Sequence, residues 1–277
     1  MTSVHQQQIS RETNHENIGI SAWTGYGGNV DGFCRLARSV GASHIELRQF
    51  IGGDDKVDTS GRKAIRQALE AAGLRSSVHA PWKLNLASSD RNSRRFALDQ
   101  YKKLLDLAAE LGSEVMVFHG GWNEDRAGGH ELVNDAAHEL VKHAATMVCR
   151  PALENDEVSR PTLFHNPEDF RSIKVDGLAY VLDIGHANTL GHSVQEFAKV
   201  MRSRVVEVHL HDNDGTGDQH LSLGRGTVNW SESIPQVLAT EPHLLMLECY
   251  SDDDITASMK RLRQLLRVEG NHERVHT

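Results

Sequence analysis

Cysteine is scarce in this chain, and the three that occur, Cys34, Cys149 and Cys249, are scattered and odd in number. They form neither a disulfide framework nor a CxxC zinc knuckle, which suits a reducing compartment. Long hydrophobic runs are missing too, since no apolar stretch approaches the ~20 residues that span a bilayer. The segment Met1–Asn17 is polar and lacks the apolar core of a secretory signal, so a cytoplasmic location is expected. Basic residues are in deficit, 30 Lys and Arg against 38 Asp and Glu, and the net charge of −8 argues against a broad nucleic-acid footprint. A local basic groove, or one created by bound divalent cations, stays open. No Pro/Gly/Ser-rich linker or abrupt change in composition interrupts the chain. One domain over 17–269 is therefore expected, with loose tails at 1–16 and 270–277.

What the 277 residues do have is histidine, 17 in all, and a repeated way of placing it. Apolar runs end on histidine or a carboxylate at Ser43-His44-Ile45-Glu46, Ser77-Val78-His79, Met116-Val117-Phe118-His119 and Ala152-Leu153-Glu154. The same happens at Val181-Leu182-Asp183, Val206-Glu207-Val208-His209 and Leu245-Met246-Leu247-Glu248. A buried strand that repeatedly delivers a metal-type ligand at its C-terminal tip implies a ring of strands converging on one site. Eight β-type runs, at 17–23, 43–48, 75–80, 114–119, 150–155, 179–184, 204–210 and 243–249, alternate with helical patterns. The expected fold class is α/β: a single (β/α)8 TIM barrel with a metal site at the C-terminal mouth of the strands. Its usual length, ~250 residues, agrees.

Among the helices, Leu98, Tyr101, Leu105, Ala108 and Leu111 fall on one face, and Gly112 supplies a stop. The segment 60–72 is helical and precedes Gly73. The last helix, 255–267, follows Ser251, Asp252, Asp253 and Asp254, one of which is expected to cap it. The crossover 156–178, with Pro161 and Pro167, holds only a short helix.

His79 and His119 end adjacent strands at equivalent places; singly each could be a rim histidine, together they read as ligands. In Asp183-Ile184-Gly185-His186 the chain turns so that Asp183 and His186 can face a common cation. The bland reading is a helix-capping aspartate and a solvent histidine. His209 and His211 point to one side if the strand extends that far, and the glycine-bearing loop lets Asp218 and His220 fold back over the mouth. His211, Asp212 and Asp214 then read as loop-structuring or ligand-supporting groups. Glu154 and Glu248 are bridging ligands, acid/base groups or both.

Taken in order, His79, His119, Glu154, Asp183, His186, His209, Asp218, His220 and Glu248 closely resemble the ligand set of the endonuclease IV branch of the xylose-isomerase-like barrel superfamily. The runs HAPWKLNLAS (79–88), Leu153-Glu154-Asn155 and LSLGRG (221–226) strengthen the resemblance, which covers roughly 17–250. It implies a cluster of up to three divalent ions, usually zinc, although manganese and iron suit the same donors. His79, His119 and Glu154 would hold one ion. Bridging Glu154 with Asp183, His209 and Glu248 would hold a second, and His186, Asp218 and His220 a third. Departures point away from DNA repair. Gln219 stands where that branch has arginine, and Asp156-Glu157 adds negative charge after Glu154. Trp82 replaces a tyrosine that inserts into damaged DNA, and Arg225 replaces an acidic residue.

The expected function is therefore a divalent-metal-dependent isomerase or epimerase of a small sugar or sugar phosphate. Glu154 or Glu248 would move a proton through a metal-stabilised enediolate. Trp23, Trp82 and Trp122 are candidate walls for a sugar face, Arg48 and Arg225 candidates for an anionic substituent, and His211 a candidate substrate contact. Two alternatives stay open: phosphoester hydrolysis, including abasic-site cleavage, and specialised biosynthetic chemistry with iron or manganese. The expected partner is a small sugar-like molecule, without membrane association; an oligomer stays open.

Overall fold

Strands buried on both faces carry apolar residues almost without interruption, and most of these strands read so, exceptions including Ser76-Ser77, Glu46 and Glu207. The computed structural model describes residues 17–21, 29–48, 59–157, 162–189 and 191–273. Its strands are β1 (Ile18–Ser21), β2 (His44–Leu47), β3 (Arg75–His79), β4 (Val115–Phe118), β5 (Arg150–Glu154), β6 (Ala179–Asp183), β7 (Val205–Leu210) and β8 (Leu244–Leu247). They pair in parallel, in sequence order, and close into a barrel where Gly19 of β1 meets Met246 of β8. A Cβ on Gly19 would come within 2.6 Å of Met246 Cε, so a larger residue there would force the Met246 side chain to shift.

Side chains alternate across each strand. Ile20, Ile45, Val78, Phe118, Leu153, Leu182, Val208 and Leu247 are fully buried in the main core. Val115, Val117, Ala152, Ala179, Val181 and Val206 form a separate small apolar cluster. Val115 and Val117 have the parity of His119, Ala152 that of Glu154, and Ala179 and Val181 that of Asp183, so along these strands the interior changes from apolar to polar toward the C-terminal mouth. That boundary is the physical basis of the strand-end pattern.

The helices are α1 (Val30–Val40), α2 (Thr59–Ala72), α3 (Arg91–Leu111), α4 (Arg126–Ala144), α5 (Ile184–Thr189), α6 (Val194–Met201), α7 (Trp230–Leu238) and α8 (Asp252–Glu273). A short 3-10 helix, Pro167–Ser172, occupies the crossover between β5 and β6. In α3 the expected face is buried at Tyr101, Leu105, Ala108 and Leu111; Asp90 accepts from Ser93 N at 2.7 Å, and Gly112 ends the helix at φ 77°. Ser251 caps α8, its Oγ accepting from Asp254 N at 3.1 Å. Asp252, Asp253 and Asp254 occupy the first turn, where the helix dipole favours negative charge. The helix also runs to Glu273, into the segment expected to be a tail. Gly270 does not stop it, since one glycine inside a helix costs only about 1 kcal/mol. Residues 1–16 and 274–277 lie outside the described residues.

Candidate metal centre

Because the strands run in register, their tips deliver side chains to one point above the apolar plug. Glu154 lies at the centre. Its Oε2 is 3.0 Å from His79 Nε2 and 3.2 Å from His119 Nε2, and its Oε1 is 2.8 Å from His209 Nδ1. The same His209 nitrogen stands 3.4 Å from Glu248 Oε1 and 3.8 Å from Asp183 Oδ2. On the far side, Asp218 lies 3.1 Å from His220 Nε2 and 3.6 Å from His186 Nε2. All nine side chains singled out from the sequence thus belong to one connected set.

Five overlapping groups, which bring in Glu46 and His211 besides those nine, offer ligand atoms lying within 4.8 Å of one another. They are His79/His119/Glu154, Glu154/Asp183/His209, Asp183/His186/His211, His211/Asp218/His220 and Glu46/His79/His209/Glu248.

Local chemistry explains how the loops reach the site. Asp183 Oδ1 accepts from His186 N at 2.7 Å, so it caps α5 while Oδ2 stays directed at the histidines. The capping contact of Asp183 is therefore present, but His186 is buried rather than solvent-facing. Gly185 is obligatory at this turn, since a Cβ would come within 2.0 Å of the His211 ring. The loop after β7 is tied by Asp212, which is fully buried. Its Oδ2 accepts from Gly224 N and Trp230 Nε1 at 2.7 and 2.8 Å, and its Oδ1 from Asn213 N and Val228 N at 3.0 and 3.1 Å. An antiparallel bridge between Asp212 and Leu221 closes the loop and returns Asp218 and His220 to the mouth. His220 adopts a left-handed backbone, φ 48°, held by that bridge and by its Nδ1 contact with Glu248 O at 3.1 Å.

The charge balance is unusual. Glu46, Glu154, Asp183, Glu207 and Glu248 are all essentially inaccessible, and among the described residues the permanent cation paired with them is Arg48. Burial raises Glu248 to about 8, aided by Glu46 and Glu154 and opposed by Arg48 and His209. Glu154 is held well below the usual carboxylate range: burial pushes it up, but the charges of His209 and His119 outweigh this. His209 and His186 are raised well above the ordinary histidine value, because adjoining carboxylates overcome burial. His220 falls to about 4 through burial and the nearby charge of His211.

Such a set of buried anions needs compensating positive charge. Asp218 Oδ1 is buried without a hydrogen-bond partner, as a ligand atom awaiting a cation would be. Histidine nitrogens and carboxylate oxygens at this spacing fit divalent zinc, manganese or iron.

Other expected residues are placed differently. His211, expected as a ligand-supporting group or a substrate contact, is fully buried, 3.1 Å from Asp183 and stacked on His220 at 4.0 Å between ring centroids. Arg48 turns inward onto Glu248 Oε1 at 2.7 Å, so it neutralises a carboxylate of the protein. Arg225 has 71% of its side chain exposed and lies 3.7 Å from Asp254, because its loop directs it outward. Trp82 and Trp122 stand together, partly exposed, with ring centroids 6.4 Å apart, on the loops that follow His79 and His119. Trp23 lies outside the described residues. Three carboxylates were missed, Glu207 at 3.5 Å from His209 Nε2 among them. Glu46 lies 3.3 Å from His209 Nε2, and Asp156 lies 3.1 Å from His119 Nδ1. Their signal was the strand-end run 43–46 and the acidic pair that follows Glu154–Asn155.

Residues 34–267 match the model of the xylose isomerase-like TIM barrel family. An uncharacterized protein of Methanocaldococcus jannaschii is 31% identical over 172 residues, covering 58% of this chain and 59% of that protein's length. A probable endonuclease 4 of Mycobacterium ulcerans is 25% identical over 221 residues, covering 76% of this chain and 86% of its own. Among solved structures, a D-tagatose 3-epimerase-like protein superposes with a TM-score of 0.80 at 23% identity, over 92% of this chain and 99% of that one. Endonuclease IV from Thermus thermophilus superposes with a TM-score of 0.71 at 20% identity, over 91% and 99%. These two likenesses concern the fold.

Proposed function

Starting from the chain's membership of the xylose isomerase-like TIM barrel family, we propose that it is a divalent-metal-dependent isomerase or epimerase of a small sugar or sugar phosphate. The observation that carries this reading is the pairing of Glu154 and Glu248. They approach His209 Nδ1 from the tips of β5 and β8, at 2.8 and 3.4 Å, with their protonation pushed in opposite directions. Two neighbouring carboxyls of unlike acidity suit an acid/base division of labour. Ionised Glu154 takes the proton from a carbon beside a carbonyl. Glu248, facing the same centre from the tip of β8, is placed to return a proton to the opposite face for epimerisation, or to the adjacent carbon for isomerisation, in which the neighbouring hydroxyl's proton also passes to the former carbonyl oxygen. A divalent ion held by Glu154, Asp183, His209 and Glu248 would polarise the carbonyl and acidify that carbon. Trp82 and Trp122 offer an apolar wall for a sugar face at the rim.

A second reading, phosphoester hydrolysis, draws on the His186, His211, Asp218 and His220 donors, which a single-ion sugar site leaves unused. One experiment separates the two. The metal-loaded protein is incubated with a ketose and aldose panel in deuterated water, and in parallel with duplex DNA carrying an abasic-site analogue. Deuterium entering a carbon-bound position without incision is the expected result. Efficient incision with no exchange in any sugar would replace the proposal with the hydrolytic one.

A further inference from the structure

In five histidines of the centre, His79, His119, His186, His209 and His220, both ring nitrogens face a carboxylate or a backbone carbonyl. His79, His119, His186 and His220 aim Nε2 at the central carboxylates. Their Nδ1 atoms meet Ala80 O at 2.9 Å, Asp156 Oδ1 at 3.1 Å, Asn155 O at 2.7 Å and Glu248 O at 3.1 Å respectively. His209 is reversed. Its Nδ1 faces Glu154, Glu248 and Asp183, so Nε2 points down the barrel, where neither β6 nor β8 offers it a carbonyl partner among the described residues. What stands there is Glu46 Oε2 at 3.3 Å, with Glu207 Oε1 at 3.5 Å.

Glu46 is built into that place. It is fully buried, and Ser21 donates to its Oε1 at 2.7 Å while Arg48 lies 3.5 Å from the same oxygen. These contacts leave Oε2 facing His209 Nε2 at 3.3 Å, each atom buried without a hydrogen-bond partner. The register of β1 on β2 sets Ser21 opposite Glu46.

We infer that Glu46 is a positioning residue for His209: its Oε2 is placed to accept a hydrogen bond from Nε2–H when the centre is loaded, which fixes the tautomer that leaves the Nδ1 lone pair facing the centre and raises that nitrogen's basicity. Glu207, held by Ser77 Oγ at 3.1 Å, is the lesser partner. A ligating histidine needs such an acceptor, and loss of one lowers metal affinity by roughly 10- to 100-fold. A carboxylate in this role, as Asp156 is for His119, makes His209 a stronger donor than the histidines oriented by backbone carbonyls.

The inference rests on the metal-binding reading above, so its test uses the ions alone. Zn(II) affinity is measured by chelator competition, and the visible spectrum is recorded with Co(II), for wild type, Glu46→Gln, Glu46→Ala and Glu207→Gln. Melting of the metal-free proteins controls for folding, and the near-isosteric glutamine variant covers the case in which alanine fails to fold. The expected outcome is an unchanged ion count with affinity reduced about 10-fold in Glu46→Gln and about 100-fold in Glu46→Ala. The Co(II) bands shift in both, and Glu207→Gln has a smaller effect. Wild-type affinity and an unshifted spectrum in Glu46→Gln would overturn the inference. So would loss of one whole equivalent, which would make Glu46 a direct ligand. Failure of the wild type to take up either ion would instead overturn the metal reading, and this inference with it.

Discussion

Turnover by Glu154→Gln is expected to fall by roughly 10³-fold or more. Removing a general base alone typically costs 10²- to 10⁴-fold, and this side chain has a second task. Both of its oxygens are engaged, Oε2 by His79 and His119 and Oε1 by His209. A glutamine keeps one acceptor and turns an NH2 donor toward imidazole nitrogens that need an anion. Proton transfer and ligation therefore fail together, and the ion count should drop along with turnover. The check is turnover on whichever sugar shows exchange, with metal measured in the same preparation. Activity within tenfold of wild type would remove Glu154 from the centre of the mechanism.

Chelation should lower the melting temperature by about 10 °C at neutral pH. Ions present at ~1,000 times their dissociation constant contribute about 4 kcal/mol. For a chain of this size each kcal/mol shifts the midpoint by roughly 2–4 °C. The loss should grow as pH rises, and the signs can be followed group by group. His209 and His186 have folded values raised above the ordinary 6.5, so the stability they contribute is complete below 6.5 and is lost as pH climbs through those values. Glu248 is raised from 4.5 to about 8, so its contribution is likewise lost on ionisation as pH rises toward 8. His220, lowered to about 4, opposes them only below 6.5, where it must take up a proton. From pH 6.5 to 9 the metal-free protein therefore destabilises steadily, while the loaded protein, whose carboxylates face cations, changes little. Melts of both forms across that range decide the matter. A metal-free protein melting higher at pH 9 than at pH 6.5 would contradict this electrostatic assignment.

The barrel was legible because fully buried parallel strands must be apolar until they reach the mouth, where ligand chemistry interrupts them. Val117 before His119 and Val181 before Asp183 show the change within two residues. Less legible was depth. His44 and Glu46 share a strand and a side, and nothing in their spacing says that Glu46 alone reaches His209. His211 continues the period of Glu207 and His209, so its inward direction was visible, but its stacking on His220 depends on a loop closed by Asp212. The convergence of four donors on Asp212 lies beyond local pattern, because Gly224, Val228 and Trp230 reach it only after the loop has folded. Arg48 was visible as a charge, whereas its partner Glu248 is distant in sequence and adjacent only through closure of the barrel. Exposure decided Arg225, which a flat loop sequence could not disclose.

The most direct measurement is the number of divalent ions retained per chain after saturation and gel filtration, compared between wild type and a His79→Ala/His209→Ala double variant. Convergence of strand-end ligands on a shared centre predicts one to three tightly held ions in the wild type and a clear loss of ions in the variant. A wild type that elutes free of metal, or a variant that retains the full wild-type complement, would show that these side chains do not meet around a common cation.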